Sequence, residues 1–428
     1  MKNKFGFWSI VLLGINGIIG SGIFLLPNKA YSIMGPKSIW VILFDALLVG
    51  SLALCFAEAG GYFKKNGGPY VYAREAFGEF VGFEVGFMKW AISIIAWAAM
   101  AAAFAQALGN IWEPAQQNLV KNVIITIVIV GLGALNYLGV KISKLLNNVI
   151  TIGKLLPLIM FCAVGIFFIN GGNFTPSAET IAKASEPGAF AAAAILIFYA
   201  FTGFESIAVA AEDMESPEKN IPRAIVLVIG IVSVFYLVIM GVSIGTLGDQ
   251  LATSNAPIAD ATKMFLGPIG FSIVSAGTII SIGGINIAAS FITPRSGVAL
   301  AEDGLVPRFI AKESKYGTPG YAILITVVLA LVLAWSGSFA TLAAISVISR
   351  FAQYLPTCIA IIVLRKRKDL ETTFKVPCGP AIAILAVAVS LWMLSKASLY
   401  KIGFGLGGLA VGVPIYMLMK FIEKRKTV

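Results

Sequence analysis

The feature that most constrains this chain is a series of apolar stretches, each about 18 residues or longer, that recur along its length. They lack the period-two alternation of a β-barrel strand, so they predict membrane-spanning helices. We therefore predict an all-α polytopic membrane protein with about 12 transmembrane helices. The predicted spans are 7–33, 38–62, 81–111, 121–139, 146–169, 189–213, 223–247, 268–298, 320–336, 339–364, 380–395 and 402–422.

Charge is scarce and unevenly distributed. Only 12% of the 428 residues are charged and 58% are hydrophobic, so residues 1–428 are predicted to form a single membrane domain. The net charge of +11 arises from basic residues concentrated in alternate loops, such as the run from Arg365 to Lys368. This pattern predicts cytoplasmic N- and C-termini and contact with anionic lipid headgroups of the bilayer, and it argues against nucleic acid as a partner.

A glycine cluster interrupts the first apolar stretch. Gly14, Gly17, Gly20 and Gly22 fall within nine residues. Each glycine costs a helix about 1 kcal/mol relative to alanine, so the cluster predicts a break. Broken backbone in a membrane is tolerated where it lines a cavity or meets a ligand, and N–H groups near Ser21 suit a carboxylate while carbonyls before the break suit an ammonium. The alternative is a small-residue surface for helix packing.

The sixth span is interrupted in a similar way, by Gly203 and Glu205. Interrupted helices at positions one and six predict two five-helix halves of inverted topology. The first repeat would cover about 7–170 and the second about 189–364, with two terminal helices at about 380–422.

Two ionisable residues inside spans are candidates for coupling. A charge at the bilayer centre costs roughly 2.5–3.5 kcal/mol on insertion scales, so each needs a partner or a function. The Lys154 ammonium could occupy the place of a coupling cation, or it could snorkel to the membrane surface. Glu205 could sense or relay protons, or it could accept hydrogen bonds from backbone freed by the break. Asp45 and Arg350 also lie within spans, and their roles stay open.

The chain offers no recognisable catalytic chemistry. It contains no histidine, which excludes imidazole metal sites and imidazole proton relays. It also lacks a Walker loop and a nucleophile elbow. We predict no metal, no cofactor and no enzymatic activity.

Several motifs occur together in a characteristic order. The chain carries G-I-I-G-S-G-I-F in span one, F-T-G-F-E in span six, E-S-P-E-K-N-I-P-R-A-I after it, and A-E-D-G-L-V-P and T-P-G before span nine. Together they resemble the amino acid, polyamine and organocation (APC) transporter superfamily over essentially the whole chain. The resemblance implies a LeuT-like fold, with a 5+5 inverted repeat and discontinuous helices 1 and 6, that works by alternating access.

The resemblance also implies roles for individual residues. The substrate carboxylate would be held by Gly20, Ser21 and Gly22, and its ammonium by the carbonyls of Ile18, Tyr199 and Thr202. Phe201 would border the pocket, and Ile285 would contact the substrate side chain. Lys154 is similar to the lysine of sodium-independent members, whose amine replaces a sodium ion. Where Tyr199 and Ile285 stand, arginine/agmatine exchangers carry tryptophan, which argues against a large cationic substrate.

We therefore predict a sodium-independent secondary transporter of L-amino acids, chiefly small or neutral ones, in the cell membrane. Coupling would be by proton symport or by amino acid exchange. An alternative within this class is a transporter of cationic amino acids or polyamines. An alternative of another class is an amino acid sensor or receptor that does not transport. The sequence leaves the exact substrate and the oligomeric state open.

Overall fold

The computed structural model describes residues 6–63, 68–140, 144–208, 214–372 and 374–426, and these are mostly helical. Ten helical segments among them are long and apolar enough to cross a membrane, and Gly320–Ser336 and Pro380–Ser395 are shorter apolar helices. This part of the chain contains no β-sheet. The prediction of an all-α polytopic membrane protein is confirmed. Residues 209–213, the end of predicted span six, lie outside the described ranges.

The α-helices within the described ranges are numbered in chain order. They are α1 (Phe7–Ile18), α2 (Ser21–Leu25), α3 (Pro27–Met34), α4 (Ser38–Tyr62), α5 (Pro69–Phe77), α6 (Glu79–Gly109), α7 (Asn118–Tyr137), α8 (Lys144–Gly165), α9 (Ala178–Ala184), α10 (Ala189–Phe201), α11 (Pro217–Leu247), α12 (Pro257–Glu302), α13 (Gly320–Ser336), α14 (Phe339–Leu364), α15 (Pro380–Ser395) and α16 (Leu399–Lys426).

Most predicted span boundaries agree with these helices, and those of spans nine, ten and eleven coincide with α13, α14 and α15. Span seven begins earlier than predicted, because α11 starts at Pro217 and continues through Pro222. Pro217 is the first residue of α11, where proline is tolerated because its missing N–H has no intrahelical partner to lose. In α12 the backbone leaves the helical region at Gly267, beside the predicted start of span eight.

The interrupted helices lie at the centre of the protein. Within Ala189–Ile207, 72% of an 18-residue stretch is buried, compared with 17% for a stretch of the same length in α7 and 11% in Leu399–Ile422. The helices α4, α6, α11, α12 and α14 pack around the interrupted ones. The central position surrounds both breaks with protein and leaves α7 and α16 to face lipid.

Candidate functional site

The first membrane span is broken where its glycines predict. Helix α1 ends at Ile18, Ile19 and Gly20 have non-helical backbone angles, and α2 begins at Ser21. The last carbonyls of α1 therefore lack the N–H partners that a continuous helix would supply. The predicted discontinuity in span one is confirmed.

Lys154 of α8 satisfies two of these carbonyls. Its Nζ donates to the carbonyl oxygen of Asn16 at 2.6 Å and to that of Ile19 at 2.9 Å. The side chain is 1% exposed, so the ammonium lies inside the protein and not at the membrane surface. A cation at the C-terminal end of a helix is stabilised both by the hydrogen bonds and by the helix dipole. This geometry does not agree with snorkelling.

The second break follows Phe201, the last residue of α10. Gly203 has a φ of 115°, which L-amino acids with side chains rarely adopt, and a 3₁₀ turn follows at Phe204–Ala208. The N–H of Gly203 donates to Oε2 of Glu205 at 2.9 Å. Glu205 therefore accepts a hydrogen bond from backbone that the break has freed, as one of its two predicted roles requires.

Glu205 also joins the second break to α14. Its Oε1 accepts a hydrogen bond from Arg350 at 2.5 Å, and its Oε2 accepts one from the Tyr354 hydroxyl at 3.1 Å. Both members of the ion pair have side chains that are only 12% exposed. Lys89 of α6 lies close enough to Glu205 for their charges to interact. Arg350, whose partner the sequence left open, thus pairs with the carboxylate at the break.

The two breaks lie against each other, and glycine makes the contact possible. A Cβ on Gly203 would overlap the carbonyl oxygen of Gly17 in α1. A Cβ on Gly22 would stand 2.7 Å from the Cα of Ala200 in α10, which is closer than a real Cβ approaches. Any larger residue at Gly22 or Gly203 would push the helices apart. The glycines therefore serve both roles considered from the sequence, because they break the helices and pack them together.

Tyr236 of α11 bridges the ends of both broken helices. Its hydroxyl is 3.0 Å from the carbonyl oxygen of Ala200 and 3.5 Å from that of Ile18. The side chain is fully buried. Sequence reasoning missed this residue, since nothing in the sequence distinguishes a tyrosine of span seven that faces the core from one that faces lipid.

The predicted residues Gly20, Ser21 and Ile285 lie together beside Met100 of α6. The buried Ser21 hydroxyl donates to the Met100 sulfur at 3.2 Å, which is a weak hydrogen bond. The Ile285 Cδ1 would stand 2.7 Å from a Cβ placed on Gly20, so this side chain covers the break. Asn286 donates to the Met100 carbonyl oxygen at 3.0 Å. Met100 and Asn286 were not predicted, and only their position opposite the break identifies them.

The remaining predicted residues belong to the end of α10. The Tyr199 hydroxyl faces Ser21 and makes no hydrogen bond of ordinary geometry. The Tyr199 carbonyl accepts two bonds from Thr202, one from its hydroxyl at 2.8 Å and one from its N–H at 3.2 Å. Phe201 is buried edge-on against the Tyr236 ring, with the ring centroids 5.0 Å apart. Phe201 therefore supports the bridge between the breaks.

Two other acids, both on α4, are buried. Asp45 is fully buried, and neither carboxylate oxygen has a hydrogen-bond partner among the described residues. Glu58, near the end of α4, is also fully buried and forms a bidentate ion pair with Arg365. The Arg365 Nε and Nη2 atoms are each 2.6 Å from a Glu58 carboxylate oxygen. Arg365 lies 307 residues from Glu58 in the sequence.

Comparison with known proteins identifies the family. The sequence model of the amino acid permease family matches residues 5–419. The chain belongs to that family. As a permease of the APC superfamily it is a multi-pass membrane protein, in agreement with the resemblance found in its motifs.

The permease is similar along nearly its whole length to three transporters of Bacillus subtilis. A serine/threonine exchanger is 32% identical, covering 100% of this chain and 98% of the relative. A methylthioribose transporter is 28% identical, covering 96% and 92%. A branched-chain amino acid permease is 26% identical, covering 98% and 93%. The permease therefore matches complete transporters, whose named substrates differ.

Proposed function

We propose that this permease is a sodium-independent secondary transporter of small or neutral L-amino acids. It works by alternating access, through either proton symport or amino acid exchange. The proposal includes the two inverted repeats at about 7–170 and 189–364, and location in the cell membrane with both termini cytoplasmic. The family and its relatives are transporters, so we propose no enzymatic role.

The observation that carries the proposal is the ammonium of Lys154 at the first break. Its Nζ is bonded to the carbonyl oxygens of Asn16 and Ile19, where helix carbonyls could otherwise coordinate a cation. A fixed positive charge there removes the electrostatic reason to bind sodium. This supports a transporter that holds its first break together without a metal ion.

The adjoining breaks supply groups for both charged ends of an amino acid. In this proposal the substrate carboxylate accepts hydrogen bonds from the N–H groups of Ser21 and Gly22, next to Gly20, and from the Ser21 hydroxyl. That hydroxyl is bonded here to a thioether, a weak acceptor that a carboxylate readily replaces. The ammonium donates to the carbonyls of Ile18 and Thr202.

The Tyr199 carbonyl is the third proposed acceptor for the ammonium. It already accepts two hydrogen bonds from Thr202, so it would have to release one of them. A carbonyl oxygen has two lone pairs, which limits how many donors it can hold. We therefore expect Thr202 to change its hydrogen bonding when substrate binds.

The surroundings of Gly20 favour a neutral substrate side chain. Ile285 and Met100 border this position, and both are apolar. The carboxylate at the second break, Glu205, is already paired with Arg350 and Tyr354, so it is not available to a cationic substrate. A small hydroxylated or aliphatic side chain suits these neighbours better than a guanidinium or a polyamine.

The proposed function is tested with purified permease in proteoliposomes without sodium. Labelled serine and leucine should enter the liposomes. Uptake should rise when the liposomes are preloaded with unlabelled amino acid or when an inward proton gradient is imposed. An internal amino acid that accelerates uptake indicates exchange, and a proton gradient that does so indicates symport. Strict dependence on sodium would contradict the role given to Lys154.

A competition panel separates the alternatives. Arginine, agmatine and putrescine test a cationic substrate, and methylthioribose tests the substrate named for one relative. Methylthioribose has neither a carboxylate nor an ammonium, so it should compete poorly if the breaks bind those groups. Amino acid binding that raises the melting temperature without any counterflow would indicate a sensor.

A further inference from the structure

A groove of about 740 Å³ lies between α7 and α13, away from the two breaks. Its walls are mostly apolar, from Val130 to Leu138 on α7 and from Tyr321 to Val327 on α13. At about 1.5 Å per residue, the α7 wall is about 12 Å long. One leaflet of the hydrocarbon core is about 15 Å thick, so the groove matches most of a leaflet.

Small residues create the groove. A Cβ on Gly133 would overlap the Val327 side chain, and one on Gly320 would stand 3.0 Å from the Tyr137 ring. The two helices therefore touch at Gly133 and leave a channel beside this contact. Ala134 lines the channel with a single methyl group. Both helices have mostly lipid-facing surfaces, and an apolar channel there is open to acyl chains.

One end of the groove is a polar rim that hydrogen bonds hold in place. Lys312, Glu313 and Ser314 line this end. The hydroxyls of Ser314 and Thr318 are bonded at 2.8 Å, and Thr318 donates to the Tyr137 carbonyl oxygen at 2.7 Å. These bonds tie the α12–α13 connection to the end of α7. The rim is therefore fixed relative to the apolar channel.

The rim carries a net positive charge. Lys315 stands over the Tyr316 ring at 5.0 Å, and that ring packs against Tyr137, a residue of the groove wall. Arg308 adjoins Phe309, whose ring contacts Tyr321, which is also in the wall. Together with Lys312, these residues give the segment 308–315 three basic side chains and a single acid, Glu313. Basic residues at a membrane surface attract anionic lipid headgroups.

We propose that this groove binds one anionic phospholipid, with an acyl chain between α7 and α13 and the phosphate at the Lys312–Lys315 rim. The occupant is a lipid, since an apolar channel of leaflet depth ends at a cationic rim. This proposal is independent of the amino acid substrate.

The test compares phosphatidylglycerol with phosphatidylcholine of identical acyl chains. Purified permease is titrated with each lipid, and binding is measured by native mass spectrometry and by the melting temperature. Wild-type protein should retain one phosphatidylglycerol more tightly than phosphatidylcholine. In Lys312→Gln/Lys315→Gln the affinity for phosphatidylglycerol should fall roughly fivefold for each charge removed. The matched control Lys366→Gln/Lys368→Gln removes two exposed lysines elsewhere and should retain the lipid.

A second pair of variants tests the channel itself. Ala134→Trp should fill the groove and abolish retention of the lipid. Ile127→Trp places the same side chain at a lipid-facing position of α7 outside the groove and should have no effect. The proposal would be overturned if wild-type protein bound the two lipids equally, or if Ala134→Trp still retained phosphatidylglycerol. It would also be overturned if Lys366→Gln/Lys368→Gln lost as much affinity as Lys312→Gln/Lys315→Gln. A dimer that depends on the groove would overturn it too, because a second copy of the protein would then be the occupant.

Discussion

The two helix breaks lie side by side but are stabilised in different ways. At the first break, the carbonyls of Asn16 and Ile19 are bonded to the cation of a residue from another helix, Lys154. At the second, the N–H of Gly203 is bonded to a carboxylate two residues away, Glu205. That carboxylate is in turn bonded to Arg350 of α14.

The difference follows from which backbone groups each break leaves without partners. The end of α1 presents carbonyls, which require a donor, and a cation provides the strongest one. The start of the segment after α10 presents an N–H, which requires an acceptor. The carboxylate that accepts this bond brings a charge into the membrane, and a second charged residue must balance it. The second break therefore depends on an ion pair, and the first on a single lysine.

Loss of the ion pair at the second break should have the largest effect. Removing one member of a buried pair costs about 3–5 kcal/mol, because the other charge is left unpaired. We expect this loss in the free energy of unfolding for Arg350→Gln and for Glu205→Gln, measured by denaturant titration in detergent. The double variant should lose less than the sum. Arg367→Gln removes two more exposed ion pairs, with Glu75 and Asp369, and is the control that should have little effect. Equal losses in Arg350→Gln and Arg367→Gln would contradict the comparison.

Loss of the cation at the first break should come next. Lys154→Met leaves two buried carbonyls without a donor, and each costs at least about 1 kcal/mol. Sodium-free uptake per molecule of folded protein should fall at least about tenfold. A tenfold fall in rate requires only about 1.4 kcal/mol of activation free energy. Lys396→Met is the control, because Lys396 is exposed and lies outside the proposed site. If Lys154→Met transports as well as Lys396→Met, the lysine does not support the break.

The bridge between the breaks should matter less than either charge. Tyr236→Phe removes a hydrogen bond to the Ala200 carbonyl but retains the ring beside Phe201. We expect a loss of about 1 kcal/mol in the free energy of unfolding. Tyr400→Phe, at a half-exposed position, should be neutral. If Tyr236→Phe lost more free energy of unfolding than Lys154→Met, the tyrosine bridge, and not the lysine, would hold the breaks together.

The smallest effect on stability is expected at Ser21. Its hydrogen bond to the Met100 sulfur is weak, so Ser21→Ala should change the free energy of unfolding by less than about 0.5 kcal/mol. The KM for uptake should nevertheless rise about five- to tenfold, if the hydroxyl binds the substrate carboxylate. Ser243→Ala removes a buried hydroxyl that bonds within its own helix and should leave the KM unchanged. An unchanged KM in Ser21→Ala would remove this residue from the proposed site.

The sequence predicted the architecture well because apolar length and glycine content act locally. Both breaks lie where Gly20 and Gly203 predict them, and spans nine to eleven have the predicted bounds. Errors arose at prolines, as in the early start of α11 at Pro217.

The partners of the site were harder to predict because they are distant in sequence. Arg350 lies 145 residues from Glu205, and Tyr236 lies 218 residues from Ile18. A single sequence shows that a buried charge needs a partner, but it does not show which residue the fold brings to it. Met100 gave no signal of its own, since a methionine in an apolar span is ordinary.

The central claim is that main chain exposed at the two breaks binds the carboxylate and the ammonium of an amino acid, with Lys154 in place of sodium. It is tested most directly by sodium-free uptake of labelled serine into proteoliposomes, in competition with unlabelled serine, serine methyl ester and N-acetylserine. The account predicts that unlabelled serine competes and that both blocked derivatives compete at least tenfold more weakly, by about 1.4 kcal/mol or more. The claim would be contradicted if either blocked derivative competed as well as serine, or if uptake required sodium.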